Sequence, residues 1–281
     1  MQGQTKPALI SLTFDDGLRC QFERAVRILD QYGFPATFFL VANTDPIFTD
    51  GFAEHSGFNW RKIAWNAHDI QLLKGMVEHG HEIGSHTVSH KGPRIMADPE
   101  FEVAESKRLI EAWMETEIPS FCYPFHWTIQ HLKEQTEKAK YRQARTGAQN
   151  SFYRSSPIDW FALDCHQIMR TGEVITRWVQ PGCWHVLTFH GIGGEQDGWE
   201  PVSEPEFARQ ITELAKLRDS GAVEVVTFKM VRIACGRRVE SSAVTIAVAH
   251  YPDPTFFSHV RGLHTQRETE PVIMLSSCFN Q

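Results

Sequence analysis

Apolar runs alternate with amphipathic segments between residues 8 and 230 of the chain. Runs that are apolar on both faces and bounded by glycine, proline or polar residues predict buried strands. These runs cover residues 8–14, 34–41, 120–125, 184–190 and 223–228, with another directly after Gly80 and a short basic strand at 141–146. Apolar residues at helical spacing predict helices over residues 22–32, 68–79, 98–114, 132–140 and 203–221. Strands that alternate with helices at this rhythm indicate an α/β barrel rather than a β-sandwich.

Two of the predicted helices carry clear start signals. Asp98 followed by Pro99 is typical of a first turn, because aspartate accepts from free backbone N–H groups and proline needs no donor there. Ser203 with Glu206 three residues later has the pattern of a capping box. We therefore expect helices to begin at these two places.

A long connection at residues 43–66 interrupts this rhythm. Prolines and glycines punctuate it, and its aromatic residues are Phe48, Phe52, Phe58, Trp60 and Trp65. Connections of this length inside a compact domain are uncommon and often form lids or binding loops. A small satellite core beneath the loop would explain the same aromatic residues, and the sequence does not choose between the two.

The chain beyond residue 235 has a different pattern. Residues 244–249 and 272–275 predict two strands joined by a polar connection that contains proline. We interpret residues 236–281 as a short β-rich C-terminal extension, either a hairpin that packs on the barrel or the start of an accessory module. Its histidines are not spaced like metal ligands.

Candidate chemistry lies where predicted strands end. His86 and His90 are four residues apart, which on a helical turn places both rings on one face. A catalytic metal usually takes a third protein ligand, and the adjacent carboxylates Asp15 and Asp16, just before Gly17, can supply it. Each stretch alone is typical of a solvated turn. Together they indicate a site, because α/β folds gather functional groups at the carboxyl ends of their strands.

Composition narrows the choice of partners. The formal net charge of −6 argues against nucleic acid as the main partner, since a phosphate backbone requires a basic surface. No run reaches the ~20 apolar residues that span a bilayer. The six cysteines have no CxxC spacing, so neither a zinc–thiolate knuckle nor a dense disulfide framework is expected. Residues 1–7 carry no apolar signal region, which leaves a cytoplasmic protein or an extracytoplasmic one whose signal peptide has been removed.

Three motifs carry a family resemblance. Residues 13–17 (TFDDG), 86–90 (HTVSH) and 187–190 (LTFH) resemble the first, second and fifth motifs of the polysaccharide deacetylases, which form carbohydrate esterase family four and are also called NodB-homology domains. The resemblance implies a distorted (β/α)7-type barrel with a metal-dependent deacetylase site at its mouth. It assigns residues 1–235 to the catalytic domain.

The resemblance and the residue types together imply roles for the motif residues. The expected metal ligands are Asp16, His86 and His90, and the ion expected from this N/O donor set is Zn²⁺, with Co²⁺, Ni²⁺ or Mn²⁺ as alternatives. Asp15 is expected to act as general base, and His190 as the acid that protonates the leaving group. The backbone amide of Phe125 matches the family's oxyanion donor.

The third and fourth motifs depart from the family pattern. The family usually has an arginine two residues before Pro124, paired with the catalytic aspartate, and here that position is Cys122. We expect the pKa of the base to rise unless another cation substitutes, and the candidates for that cation are Arg142, Arg145 and Arg154. Residues that match pocket positions of the family are Tyr123, Pro124, His126, Trp127 and Trp160. Asp164 either tunes the histidine acid or is an ordinary surface carboxylate, and core packing is an alternative for Trp127.

The resemblance also bounds the reaction. We expect removal of acetyl groups from a carbohydrate, with N-deacetylation of an N-acetylglucosamine-containing poly- or oligosaccharide preferred. O-acetyl esterase activity on xylan or an aryl acetate is the close alternative. Two further alternatives are a cyclic-imide or allantoin-type amidohydrolase and a non-catalytic glycan-binding relative. The sequence leaves the oligomeric state open.

Overall fold

The structure of the protein, a computed structural model, describes residues 6–48, 59–92, 96–147, 158–170 and 174–231. Its strands are β1 (Ala8–Phe14), β2 (Thr37–Leu40), β3 (Ile47–Phe48), β4 (Trp60–Arg61), β5 (Glu82–Ser85), β6 (Ser120–Cys122), β7 (Gln143–Arg145), β8 (His166–Gln167), β9 (Trp184–Phe189) and β10 (Val223–Val225). Its α-helices are α1 (Val26–Gln31), α2 (Ala67–Glu78), α3 (Pro99–Met114), α4 (Gln130–Lys138) and α5 (Glu204–Asp219). The predicted extension at 236–281 lies outside the described residues and stays a prediction.

Eight strands form one parallel sheet that curls into a half-barrel. Seven of them follow the order β7-β6-β5-β2-β1-β9-β8, and β10 pairs with the first residues of β1. The two ends of this order approach each other through a bridge between Arg145 and Leu163, where the amide of Thr146 donates to the Leu163 carbonyl over 2.7 Å. The predicted α/β barrel is confirmed in its distorted form.

Alternating side chains of β1 explain why this strand is central. Phe14 points outward and packs against Phe38 and Phe207, whose ring centroids lie 4.8 and 6.0 Å away. Ser11 and Thr13 face the other side of the sheet, where Ser11 accepts a hydrogen bond from the Trp184 indole over 3.0 Å. Because successive strand residues alternate between faces, one strand serves both the helix layer and the barrel interior.

Aromatic and aliphatic side chains fill the barrel interior. Phe39, Trp184 and Phe228 pack at centroid distances of 5.6 to 5.7 Å and belong to one buried cluster. A polar layer lies beside them, in which the buried Glu82 carboxylate accepts from Thr37 and Ser120 over 2.9 and 2.6 Å. Both oxygens of this buried side chain therefore have a hydrogen-bond donor, as a buried polar group requires.

The helix starts behave as predicted. The Asp98 side chain accepts from the amide of Phe101 over 2.9 Å. Ser203 accepts from the amide of Glu206 over 3.4 Å. The Glu206 carboxylate accepts from Arg209 and Gln210, so the serine half of the predicted capping box is the half that forms. The helix predicted at 22–32 begins with a π-helical turn, Gln21–Ala25, before α1. Among the described residues, none of the helices combines the length and the hydropathy required to cross a bilayer.

Candidate active site

The polar residues singled out in the sequence meet at one end of the half-barrel. Asp15 and Asp16 follow β1, His86 follows β5, and His190 follows β9. Gln21 ties two of these strand ends together, because its amide donates to the carbonyls of Asp15 and His190 over 2.5 and 2.9 Å. The carboxyl ends of parallel strands form the floor of the site, as they do in barrel enzymes.

Asp16, His86 and His90 form a compact ligand set. The Nε2 atoms of His86 and His90 lie 3.6 and 3.5 Å from Asp16 Oδ1. One donor atom from each residue falls within 4.8 Å of the other two, and all three residues are buried. The three groups predicted from the sequence to bind a metal are thus gathered around one point.

The state of the two imidazoles suits metal binding. Burial lowers the pKa of His86 and, well below its ordinary value, that of His90, so both rings are neutral at pH 7. His86 Nδ1 lies 2.8 Å from the carbonyl oxygen of Cys122, which accepts a hydrogen bond from Nδ1–H. The other ring nitrogen, Nε2, therefore carries no hydrogen and has its lone pair available beside Asp16. Two neutral nitrogens and one carboxylate oxygen are a donor set that Zn²⁺ and similar ions accept.

The segment from His86 to His90 is a loop rather than the helical turn expected from its spacing. Thr87 and His90 adopt positive φ angles of 68° and 55°. The buried Glu102 carboxylate of α3 holds this loop, since its Oε2 accepts from the amides of Val88 and Ser89 over 3.0 and 2.9 Å. Nothing in the sequence pattern marked Glu102 as a support of the ligand loop.

Asp15, the expected base, is paired with a buried arginine from another strand. Arg145 Nη2 donates to both carboxylate oxygens of Asp15, to Oδ1 over 2.5 Å and to Oδ2 in a second contact. Burial alone would raise the pKa of Asp15, but the Arg145 cation outweighs it and holds that pKa well below its usual range. Asp15 is therefore a carboxylate at neutral pH.

Arg145 takes the place of the arginine that the family usually has at the position of Cys122. The two residues are direct partners in the β6–β7 ladder, and Arg145 Nη2 lies 2.7 Å from Cys122 Sγ. A small thiol on β6 leaves the space that the guanidinium fills from β7. Arg142 is 55% exposed and pairs with Glu117 instead, and Arg154 lies outside the described residues. Of the three candidates, Arg145 is the cation that substitutes, so the pKa of the base does not rise in this chain.

His190 lies beside Asp15 in the site. Its Nε2 is 3.8 Å from Asp15 Oδ2, and its ring contacts Trp199 at a centroid distance of 5.0 Å. Burial lowers the pKa of His190 to about 4, so the ring is neutral at pH 7. Asp164 accepts a hydrogen bond from Thr146 Oγ1 over 3.1 Å, and its influence on His190 stays a prediction.

A cavity of ≈ 410 Å³ opens above these groups. Trp127 and Trp199 stand at it with 48% and 39% of their surface exposed. The other residues lining it are Asp15, Asp16, Phe48, Trp60, His86, His90, Phe125, His126, Gln167 and His190. Gln167 and Trp199 carried no sequence signal, while Phe48 and Trp60 belong to the aromatic connection at 43–66.

Phe48 and Trp60 belong to the connection that the sequence left as either a binding loop or a small satellite core, and they take part in both. Their rings stack at 6.0 Å in a small cluster with Leu18, Cys20 and Val41. Both also line the cavity. Phe52 and Phe58 lie outside the described residues. The described part of the connection, residues 43–48 and 59–66, therefore contributes to a satellite core, of which Phe48 and Trp60 line the cavity.

Three of the expected pocket residues pack elsewhere. Tyr123 is fully buried, and its hydroxyl donates to the Phe161 carbonyl over 3.1 Å. Pro124 is buried in the turn that follows β6. Trp160 packs against Trp184 at a centroid distance of 6.3 Å, beside the interior cluster. Of the substrate-contact candidates, the described cavity lining includes His126 and Trp127 and leaves out these three, whose surfaces are used for packing.

Comparison with known proteins agrees with this geometry. Residues 2–144 match the family model described as polysaccharide deacetylase. The chain belongs to the polysaccharide deacetylase family. Members of this family are hydrolases that act on the acetyl groups of carbohydrates. The matched residues include the Asp15–Asp16 pair and both histidines of the ligand set.

Two curated relatives resemble parts of the chain. The chain is 24% identical over 141 residues to the protein YxkH of Bacillus subtilis (strain 168), covering 49% of this chain and 44% of that protein. It is 27% identical over 110 residues to the peptidoglycan-N-acetylglucosamine deacetylase of Bacillus cereus (strain ATCC 14579), covering 38% and 42%. The chain thus spans less than half the length of these relatives.

Solved structures share the fold over most of the chain. The Xyl-CE4 domain of a multidomain xylanase from the hindgut metagenome of Trinervitermes trinervoides superposes with a TM-score of 0.53 at 16% identity, covering 82% of this chain and 92% of that one. A family 4 acetyl xylan esterase from Clostridium thermocellum, in complex with a cobalt ion, gives 0.53 at 21% identity, covering 81% and 92%. At these identities the likeness shows the fold.

Proposed function

We propose that this chain is a metal-dependent deacetylase of an N-acetylglucosamine-containing poly- or oligosaccharide. The observation that carries the proposal is the buried ligand set Asp16, His86 and His90 beside an ionised carboxylate, Asp15, that Arg145 holds in place. A peptidoglycan-N-acetylglucosamine deacetylase among the relatives favours the N-acetyl substrate. The aromatic residues at the cavity are consistent with a sugar ligand.

Asp16, His86 and His90 are the residues that would hold a divalent ion. When bound, such an ion supplies a Lewis acid that polarises the acetyl carbonyl and makes a water molecule more acidic. Neutral imidazoles and a carboxylate favour Zn²⁺, and Co²⁺, Ni²⁺ or Mn²⁺ fit the same donors. The Cys122 carbonyl fixes the His86 tautomer, and Glu102 fixes the loop that carries His90.

Asp15 and His190 provide a path for the proton. Asp15 is ionised at pH 7 and so is in the state that accepts a proton from the attacking water. His190 is neutral at that pH and has to gain its proton during the reaction. His190 Nε2 is 3.8 Å from Asp15 Oδ2, beyond hydrogen-bond distance, so the proton taken by Asp15 reaches His190 through an intervening water or substrate group and then passes to the leaving nitrogen as the C–N bond breaks. The oxygen of the attacking water becomes part of acetic acid, whose proton goes to the free amine, so the products are acetate and a protonated amino sugar.

The turn after β6 provides the remaining polar contact of the proposed reaction. Phe125 lines the cavity and packs against His90 at a centroid distance of 4.7 Å. We assign its backbone amide to the negative charge that develops on the acetyl oxygen, and one such donor contributes about 3 kcal/mol to catalysis.

The test is acetate release by the zinc-reconstituted protein on chitooligosaccharides, acetylated xylan and an aryl acetate, each with a chelated control. Release from the amino sugar supports the proposal. Release from the esters alone would make the protein an O-acetyl esterase with the same apparatus. No metal-dependent release from any of the three would refute deacetylation and favour an amidohydrolase of cyclic imides or a glycan-binding protein.

A further inference from the structure

One buried guanidinium connects Asp15, the expected base, to the imidazole of His126 in the cavity wall. Arg145 Nη2 holds Asp15, while Arg145 Nη1 lies 3.2 Å from His126 Nδ1. His126 is neither a member of the ligand set nor the expected acid. Its ring nevertheless lines the cavity, at a centroid distance of 5.9 Å from His190.

The Arg145 contact favours one neutral form of the His126 ring. A guanidinium group only donates hydrogen bonds, so His126 Nδ1 is an acceptor when it takes one of the two Nη1 hydrogens, whose other partners within reach are the Thr146 carbonyl at 3.3 Å and Cys165 Sγ at 3.0 Å. The carbonyl of Thr146 is also 3.2 Å from Nδ1 and would need the opposite tautomer. That carbonyl already accepts hydrogen bonds from Arg145 Nη1 at 3.3 Å and from the Cys165 thiol at 3.6 Å.

The competing tautomer has an electrostatic cost that the Nε2–H tautomer avoids. An Nδ1–H group could donate to the Thr146 carbonyl, but it would still lie 3.2 Å from Nη1 of a buried cation. Burial and the Arg145 charge likewise lower the pKa of His126 to about 3, so the ring is neutral in the pH range of interest. The neutral ring with hydrogen on Nε2 satisfies the Arg145 contact.

The contacts of Nδ1 leave Nε2 as the ring nitrogen available to a ligand. Nδ1 lies within 3.2 Å of both Arg145 Nη1 and the Thr146 carbonyl, and His126 lines the cavity, so a ligand there reaches the edge of the ring that carries Nε2. His190, the expected donor to the leaving group, lines the same cavity at a ring-centroid distance of 5.9 Å.

The backbone around His126 is strained in a way that preserves this placement. Phe125 and His126 both have positive φ angles, 56° and 61°, which cost energy in residues other than glycine. Gly147 permits the close approach, since a Cβ there would lie 2.5 Å from His126 Cβ. Strain of this kind is typical of functional sites, where the surrounding structure holds a side chain in place.

We propose that His126, oriented by Arg145, donates a hydrogen bond from Nε2 to a hydroxyl or ring oxygen of the bound sugar and so favours carbohydrate over simple acetate esters. This inference rests on the proposed function, because it assumes that the cavity binds an acetylated sugar. It assigns His126 to substrate recognition and leaves proton transfer to Asp15 and His190.

The tautomer is measured first, on the full chain at pH 7. Two-bond nitrogen–proton correlation of ¹⁵N-labelled protein distinguishes the two neutral forms, and the His126→Gln variant identifies the signals of His126. We expect the Nε2–H tautomer. A ring with hydrogen on Nδ1, or on both nitrogens, would overturn the inference whether or not the protein is active.

Recognition is measured with two variants and two substrates. His126→Gln keeps an N–H donor near the position of Nε2, whereas His126→Leu removes it. The ratio of kcat/KM on a chitooligosaccharide to kcat/KM on an aryl acetate should fall about tenfold in the leucine variant, the effect of one hydrogen bond, and should recover in the glutamine variant. Equal ratios in the wild type and both variants would refute recognition by His126 while the proposed function stands. An inactive wild type would instead refute the proposed function.

Discussion

At the scale of single residues, the site depends on a cation supplied from an unexpected strand. Cys122 and Arg145 are ladder partners, so the guanidinium reaches the same point that a longer side chain on β6 would reach. The Asp15–Arg145 pair is fully buried, and a buried charge that loses its partner destabilises the folded state. Arg145 is therefore expected to matter for stability as well as for catalysis.

Replacing Arg145 with methionine should lower the free energy of unfolding by about 3–5 kcal/mol at pH 7, because Asp15 would remain buried without a cation. Arg142→Met is the matched control, since Arg142 is an exposed neighbour paired with Glu117. Urea unfolding of both variants measures the difference. A loss in the Arg145 variant no larger than that in the control would contradict this account.

The same pair predicts a pH dependence. With Arg145 present, the folded-state pKa of Asp15 is lowered, so its contribution to stability is complete above the unfolded value of about 4 and is lost as the pH falls below it. In the methionine variant burial raises that pKa instead, and acidification relieves the penalty. The difference in unfolding free energy between wild type and variant should therefore shrink from pH 7 to pH 4. A constant difference over that range would exclude Asp15 as its source.

The ligand set predicts a single metal site with histidine ligands. Alanine at His86 or His90 should abolish tight zinc binding, since each imidazole Nε2 faces Asp16. His131, an exposed histidine on α4, provides the control substitution. Titration calorimetry should give one zinc per wild-type chain and per His131→Ala chain. Retention of that binding in either ligand variant would place the metal elsewhere.

At the scale of elements, α3 supports the loop between the two histidines. Glu102 accepts from two amides of that loop, and Thr87 and His90 depend on such support to keep positive φ angles. Glu102→Ala should weaken zinc binding by about 10–100-fold, the usual effect of losing a group that orients a ligand. Glu100→Ala, on the exposed side of the same helix, is the control. Equal zinc affinity in the two variants would show that the loop between His86 and His90 keeps its conformation without Glu102.

Prediction from sequence succeeded for elements and for strand ends. Every parallel strand except β8 was predicted, β7 as a short basic strand and the others as apolar runs. The motif residues Asp15, Asp16, His86 and His90 converge because strand ends meet at one edge. The identity of the cation could not be read in this way, since the pairing of β6 with β7 brings Arg145 to Asp15. The register in which β6 pairs with β7 cannot be read from a single sequence.

Loops and packing account for the remaining differences. Gln167 and Trp199 reach the cavity through barrel curvature and a glycine-rich loop, for which periodicity gives no signal. Trp160 and Tyr123 match pocket positions in the pattern, but their surfaces are used in core contacts. The histidine spacing suggested a helical turn, yet positive φ angles and Glu102 produce a loop with the same convergence.

At the scale of the whole molecule, the metal site joins the ends of β1 and β5 and should couple binding to folding. A ligand that binds only the folded state stabilises it by about 2.7 kcal/mol at a hundredfold excess over Kd. Zinc should therefore raise the Tm of the wild type, measured by differential scanning calorimetry. Asp16→Asn should remove the shift while keeping the fold. An equal shift in that variant would show that zinc stabilises the chain through another site.

The most direct test of the account is metal-dependent acetate release from an N-acetylglucosamine oligosaccharide, measured before chelation, after chelation and after zinc is restored, for the wild type and Asp15→Asn. We expect release to stop on chelation, to return with zinc, and to be absent in Asp15→Asn although that variant still folds and binds zinc. Release that survives chelation, or full activity in Asp15→Asn, would contradict the assignment of the site.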